Sequence, residues 1–190
     1  MARSIGITKA FRSRRTGFIA SIALVSLVAM LGSAVASAGN YDEGRNLTDV
    51  RAATTPFHNL DLAMAAGYGA VKGCAQSPGV GGMGQHYVKG DLVGDPALDT
   101  LRPEALVYEP RAGGGYQLVA VEYIVLKDAW HAAFGKNPPR LFGKRLSLVT
   151  APNAYELPDF YEIHLWLWKK NPKGIFSDWN PRVSCRGLPF

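Results

Sequence analysis

Three side chains carry most of the chemistry available to this sequence: His86, Glu122 and His164. Imidazole and carboxylate ligands suit Zn, Fe, Mn, Ni or Cu, and two histidines with one carboxylate leave coordination positions open for water or substrate. The implied cofactor is a divalent transition metal ion of unspecified identity. The three residues belong to separate segments, and neither H-x-H nor H-E-x-x-H occurs. They form a site only if the fold brings them together. Glu162 is an alternative ligand, because two positions along one strand face separate its Cβ from that of His164 by roughly 7 Å. Tyr87, Tyr108 and Glu104 are the expected supporting groups around such a centre.

Glu122 makes the strongest argument of the three. In Tyr116 to Leu126, strand alternation puts Val119, Val121, Tyr123 and Val125 on one face. Leu118, Ala120, Glu122 and Ile124 share the other, so an acid stands on an otherwise apolar face. Burying a lone carboxylate costs several kcal/mol unless a cation, a metal or a hydrogen-bond donor meets it. The plainer alternative is a structural salt bridge to Arg140 or Arg145. His86 follows Met83-Gly84-Gln85, where glycines allow close backbone approach; its plainer reading is a turn leading into a strand. His58 and His131 read as ordinary helix residues.

The stretch Asp159 to Cys185 holds three of the four tryptophans, one of the four histidines and one of the two cysteines. Its first half reads as a strand with Tyr161, Ile163, Leu165 and Leu167 on a core face. Phe160, Glu162, His164, Trp166 and Trp168 share the opposite face, which reads as a pocket wall. Phe160, Trp166 and Trp168, with Tyr87 and Tyr108, are therefore the candidate contacts for a small-molecule ligand, either apolar or sugar-like. The second half is punctuated by Asn-Pro, Lys-Gly and Asn-Pro turn signals.

Other elements must position these groups. Thr54-Thr55-Pro56 and the stripe Phe57, Leu60, Met64, Gly67, Tyr68 and Val71 predict a helical part over Leu47–Val71. Residues 73–84 read as a Gly/Pro-rich loop, and 91–102 as a surface loop. Residues 104–109 and 116–126 predict a hairpin joined by PRAGGG. Asp128 to Gly135 predicts a short helix capped by Asp128. A further strand is expected over 141–150 and a loop over 151–158. The fold class that follows is α+β: an N-terminal helix packed on a mainly antiparallel β-sheet, in a single domain.

Residues 1–38 have the pattern of a secretory signal peptide: Arg3, Lys9, Arg12, Arg14 and Arg15, an apolar run from Gly17 to Leu31, and Ala36-Ser37-Ala38 as a cleavage site. The run is shorter than the ~20 residues of a membrane span, so no stable membrane anchor is expected after cleavage. Ser13-Arg14-Arg15 also raises a twin-arginine route. The single domain is then 39–190, secreted or periplasmic. The chain has 21 basic and 15 acidic residues, net +6. Five of the basic residues and none of the acids lie in 1–38, which leaves 16 against 15, or +1. Without a basic stripe, nucleic acid is excluded as an expected partner. Two cysteines in an exported chain predict one disulfide, Cys74–Cys185, ahead of a thiolate metal site.

No G-x-S-x-G, P-loop or G-x-G-x-x-G is present. The combination of MGQHY, VEYIVL and IHLWLWKKNPKGIFSDWNPRVSC resembles a group of secreted bacterial proteins of unknown function, over about Thr55 to Cys185. That resemblance implies export but no particular activity, cofactor or catalytic residue. The cupin histidine pair with its following glutamate is absent. Two functions are expected: a secreted or periplasmic metal-dependent protein, with enzymatic use of the metal as one form of it, or a non-catalytic binding module with an aromatic ligand face.

Overall fold

Alternating apolar strands dominate the chain, and in the computed structural model six of them form one antiparallel sheet. The structure describes residues 47–186; the signal segment 1–38 lies outside them. The strands are Gly69–Ser77 (β1), Gly81–Val88 (β2), Ala105–Pro110 (β3), Tyr116–Leu126 (β4), Ser147–Val149 (β7) and Phe160–Leu165 (β8). Their order is β1-β2-β3-β4-β8-β7. Arg140–Leu141 (β5) and Lys144–Arg145 (β6) make a separate small hairpin. Short helices precede and interrupt the sheet: Leu47–Thr54 (α1), Leu60–Ala65 (α2), Gly90–Val93 (α3) and Lys127–Phe134 (α4). The architecture is α+β. No helix among the described residues is long and apolar enough to cross a membrane.

The helical segment expected over Leu47–Val71 is broken and shorter. Proline disfavours helix in the residue before it and lacks an N–H, and Pro56 sits in a 3₁₀ turn, Thr55–His58. The hydroxyls of Thr54 and Thr55 bond back to the carbonyls of Val50 and Arg51, both at 2.7 Å. Asn59 then caps α2, its Oδ1 accepting from Asp61 N at 2.9 Å. Met64, placed on the buried stripe by its spacing, is 48 % exposed, and Ala63 is buried instead. Val71 belongs to β1.

Residues 73–84 are not a loop. They form most of a hairpin, with only Pro78 to Val80 between its strands. The glycines serve close strand packing. Gly84 has φ +111°, and a Cβ there would lie 2.7 Å from the carbonyl oxygen of Tyr108 on the next strand. Only glycine meets both demands. The segment over 141–150 is likewise divided between β5, β6 and β7. In α4 the element is as expected, but Leu126 is the N-cap residue and Asp128 lies within the first turn.

One face of the sheet carries the main core. Leu106, Tyr108, Leu118, Val121, Tyr123, Val125, Tyr161, Ile163 and Leu165 cluster there with Val50 and Ala63 of the N-terminal helices and Trp130 of α4. The other face has two smaller apolar clusters. One contains Val107, Val119, Ala120, Trp166 and Val183; the other contains Val93, Ala105, Ile124 and Phe160. Alternation in β4 breaks at a bulge. Val107 pairs with Ala120 and Tyr108 with Leu118, so Val119 is an extra residue. Leu118 therefore joins the main core and Val119 the opposite face, the reverse of simple alternation. The bulge carbonyl of Val119 accepts from Trp168 N at 3.1 Å and Lys169 N at 3.2 Å, which turns the chain after β8 across the second face.

Cys74 and Cys185 form a disulfide across 111 residues, tying β1 to the C-terminal segment. A loop of that length contributes about 4–5 kcal/mol in the chain-entropy account. Gly82 and Asn180 add a backbone pair at 3.1 and 3.0 Å.

Glu104 finishes the ladder where β3 begins. Its Oε2 accepts from Ile124 N at 3.1 Å, and burial pushes its carboxyl up to about 8 from the ordinary 4.5. Between those values the folded chain keeps a proton that the unfolded chain has lost, so stability falls as pH rises from about 5 to 8. Glu104→Gln keeps an oxygen for Ile124 and has no proton to lose. Urea denaturation should show the variant gaining on the parent across that interval, by on the order of a few kcal/mol at pH 8. Parallel profiles would show that Glu104 ionises freely in the fold.

Candidate metal centre

Pairing between β4 and β8 sets Glu122 directly opposite His164, and Ile124 opposite Glu162. On the other side of β4, Glu122 pairs with Ala105, and one strand further His86 pairs with Val107. Period-two alternation then puts His86, Glu122, Glu162 and His164 on the same face, between the two small apolar clusters. His86 Nε2 lies 3.2 Å from His164 Nε2 and 3.4 Å from Glu122 Oε2. His164 Nδ1 lies 3.9 Å from Glu122 Oε1. All three side chains are buried, with His86 3 % exposed and the other two fully enclosed. His86, Glu122 and His164 form a group able to hold a metal ion.

Among the described residues no ion pair joins Glu122 to an arginine. Arg140 donates instead to Gly143 O in the small hairpin. The carboxyl of Glu122 accepts from the Tyr155 hydroxyl at 3.2 Å and shares a hydrogen bond with Glu162. Tyr155 comes from the loop over 151–158. Asn153 shapes that loop, its Oδ1 accepting from Tyr155 N at 3.1 Å and Leu157 N at 3.3 Å. The Tyr155 ring then meets His86 edge-on at 5.4 Å.

The far wall is the segment after β8. Trp166 stacks on His164, ring centroids 6.1 Å apart and planes at 15°, and its Nε1 donates to Ser177 O at 2.5 Å. Asn171 Nδ2 donates to Trp179 O at 3.0 Å, which closes the turn containing Asp178. Asp178 Oδ1 reaches to 4.0 Å from His164 Nδ1 and stays partly exposed. Glu162, His164 and Asp178 make a second group of ligand atoms, all within 4.8 Å of one another.

Burial decides the charge state. It pushes His86 down to about 4, and it holds His164 well below the usual imidazole range, helped by His86 beside it. Both rings are neutral at pH 7, so their contacts with Glu122 are not ion pairs. Burial also raises Glu122 well above the usual carboxylate range, and the neighbouring Glu162 charge raises it further; the Tyr155 hydroxyl opposes this. Glu162 is raised by burial, partly offset by its bond to Glu122. Asp178 is raised by burial alone. Two orphaned atoms remain: His164 Nδ1 and Glu162 Oε2 are buried without a hydrogen-bond partner. Metal ligands must be neutral imidazole and ionised carboxylate. The imidazoles are already in that form, and a bound cation would draw the carboxyls into it.

The remaining sequence candidates are scattered. Phe160 is fully buried among Val93, Ala105 and Ile124, and Trp166 is core as well as wall. Trp168 leaves the face, because β8 ends at Leu165. It packs on His58 at 4.3 Å beneath Arg51, beside the main core. Trp166 and Trp168 nevertheless line one cavity, with Arg51, Lys170 and Asn171, while Phe160 lies apart from it. Tyr87 and Tyr108 lie on the opposite side of the sheet, packed edge-to-face at 5.2 Å, with the Tyr108 hydroxyl donating to Phe57 O. With Glu104 bonded to Ile124, none of these three backs the His/Glu cluster.

Tyr155 and Asp178 were not legible as site residues. Both lie in irregular segments, where no periodicity assigns a side to a side chain. One signal was present for Asp178: it is the only acid after Glu162. Compared with known proteins, the chain matches no family model, no curated protein and no solved structure.

Trp166 is 3 % exposed and bonded through its indole. Trp166→Ala should lower stability by about 3–5 kcal/mol, read as a fall in the midpoint of thermal melting. A variant that melts like the parent would show that Trp166 is a surface contact and not a wall of the core.

Proposed function

We propose that this chain is an exported protein that binds one divalent transition metal ion through His86, Glu122 and His164. The observation that supports it best is a fully buried carboxyl flanked by two neutral imidazoles. A structural ion pair would bring a protonated or permanently charged base to that carboxyl. Here the bases are poised to donate lone pairs instead. Three protein ligands leave coordination positions free, and a metal so held would polarise water or a substrate carbonyl. The surrounding residues have separate tasks. Tyr155 orients Glu122 by donating to it; Trp166 fixes the ring plane of His164; Glu162 stands beside Glu122 as the alternative carboxylate. The apolar clusters on both sides exclude water. Export is supported by the first 38 residues and by the disulfide, which belongs to oxidising compartments. A small-molecule substrate is the partner consistent with open positions at such an ion.

The test is metal content in untagged protein recovered from the exported fraction. The parent should carry a stoichiometric transition metal, and His164→Ala should lose it. His131→Ala should retain it, since His131 bonds Tyr161 on the other side of the sheet. Equal metal content in the two variants would exclude the centre.

Export has its own measurement. N-terminal sequencing of the recovered protein should begin at Gly39. An intact Met1 in the membrane fraction would show retention as an anchor.

A further inference from the structure

His164 presents two nitrogens to two different sets of groups. Nε2 faces His86 at 3.2 Å. Nδ1 lies 4.0 Å from Asp178 Oδ1 and 3.9 Å from Glu122 Oε1, and it is one of the buried atoms without a hydrogen-bond partner. Another such atom is Glu162 Oε2, on the same strand face two residues away. Glu162 is 5 % exposed and His164 fully buried. Two buried polar atoms without partners are costly, at about 1–3 kcal/mol for each group, unless something meets both. Asp178 completes the set from the partly exposed C-terminal turn, with all ligand atoms within 4.8 Å.

We propose that Glu162, Asp178 and Nδ1 of His164 form a second, outer position for a divalent transition metal ion. It extends the His86–Glu122–His164 reading by sharing His164 with it. Two carboxylates and an imidazole are donors of the kind that Zn and Mn accept. Bonds of about 2.0–2.2 Å to zinc require the three ligand atoms to draw closer than their present separations, 4.0 Å between Asp178 and His164 and within 4.8 Å for the set. Asp178 is the partly exposed member of the set. The partial exposure of Asp178 also places the outer position on the solvent side of the enclosed inner one.

When both positions are filled, each ring nitrogen of His164 bonds one ion. The ring N–H proton leaves to solvent, and the imidazolate bridges the two ions. Charge then balances: Glu122, Glu162, Asp178 and the imidazolate bring four negative charges against two divalent cations. With one ion alone, two carboxylates are neutralised and the third needs a proton.

Zinc ions alone are the probe, added to metal-stripped, untagged protein and followed by calorimetric titration, with thermal melting to check each variant. The parent should bind two zinc ions per chain. Asp178→Ala and Glu162→Gln should each bind one, and His86→Ala should also bind one. Two ions in Asp178→Ala would overturn the outer position. So would a single ion in the parent that survives Asp178→Ala and is lost in His86→Ala; that result leaves the inner centre standing. A single ion with the opposite pattern would support the outer position and remove the inner one. No binding by the parent would overturn both. Asp178→Ala is the decisive variant, because its partly exposed side chain makes it the least disturbing to the fold.

Discussion

A carboxyl group buried opposite a histidine in the middle of a sheet is the constraint around which this fold is arranged. Glu122 and His164 face each other across β4 and β8, each of which has a neighbouring strand on both sides. Neither side chain reaches water, and no base strong enough to stay charged is supplied to them there. The environment therefore has to be built from other weakly basic or protonated groups: a second imidazole, a second carboxyl and a phenol. Each neighbour is drawn from a different segment. The β2 strand gives His86, the 151–158 loop gives Tyr155, β8 gives Glu162, and the C-terminal turn gives Asp178.

Holding such a mixture requires rigid surroundings. The bulge at Val119 turns its carbonyl toward Trp168 and Lys169, and the chain after β8 is thereby directed over the face instead of continuing as a strand. Lys169 pairs with Glu109, whose other oxygen accepts from Ser184 N. The disulfide and the Gly82–Asn180 pair secure the far end to the first hairpin. These contacts explain why a segment with little regular secondary structure still buries Trp166, Asn171, Asn180 and Val183. Side chain-to-backbone bonds from asparagine replace the ladder that the proline-punctuated sequence is unable to make.

What was legible in the sequence followed from periodicity. The hairpin of β3 and β4, the helix α4 and the alternation of β8 up to Trp166 all came from spacing, and so did Glu122 and His164 on a shared face type. What failed had a physical cause in each case. Pro56 divided the first helix. The glycines of 73–84, read as loop formers, instead allow strands to pack closely at Gly84. A bulge inverted the sides of Leu118 and Val119, which no alternation rule anticipates. Tyr87 and Tyr108 are neighbours of site strands in sequence, but single-residue offsets put them on the core face. Trp168 is not on the strand face expected for it, because the strand ends three residues before it. Tyr155 and Asp178 enter through tertiary folding of irregular segments, where sequence spacing carries no directional information.

The cluster is poorly explained as a device for stability. Replacing buried polar groups by well-packed apolar ones is often neutral or stabilising, and this face already has apolar residues above and below the cluster. An isoleucine at 122 and a leucine at 164 would join those two halves into one continuous core. The fold instead interrupts them with two carboxyls whose ionisation burial opposes, two imidazoles held neutral and two buried polar atoms left without a hydrogen-bond partner. Each of these raises the free energy of the metal-free folded state. Their ligand atoms lie within 4.8 Å of one another in two groups that share His164, and cations bound there would offset those separate costs together.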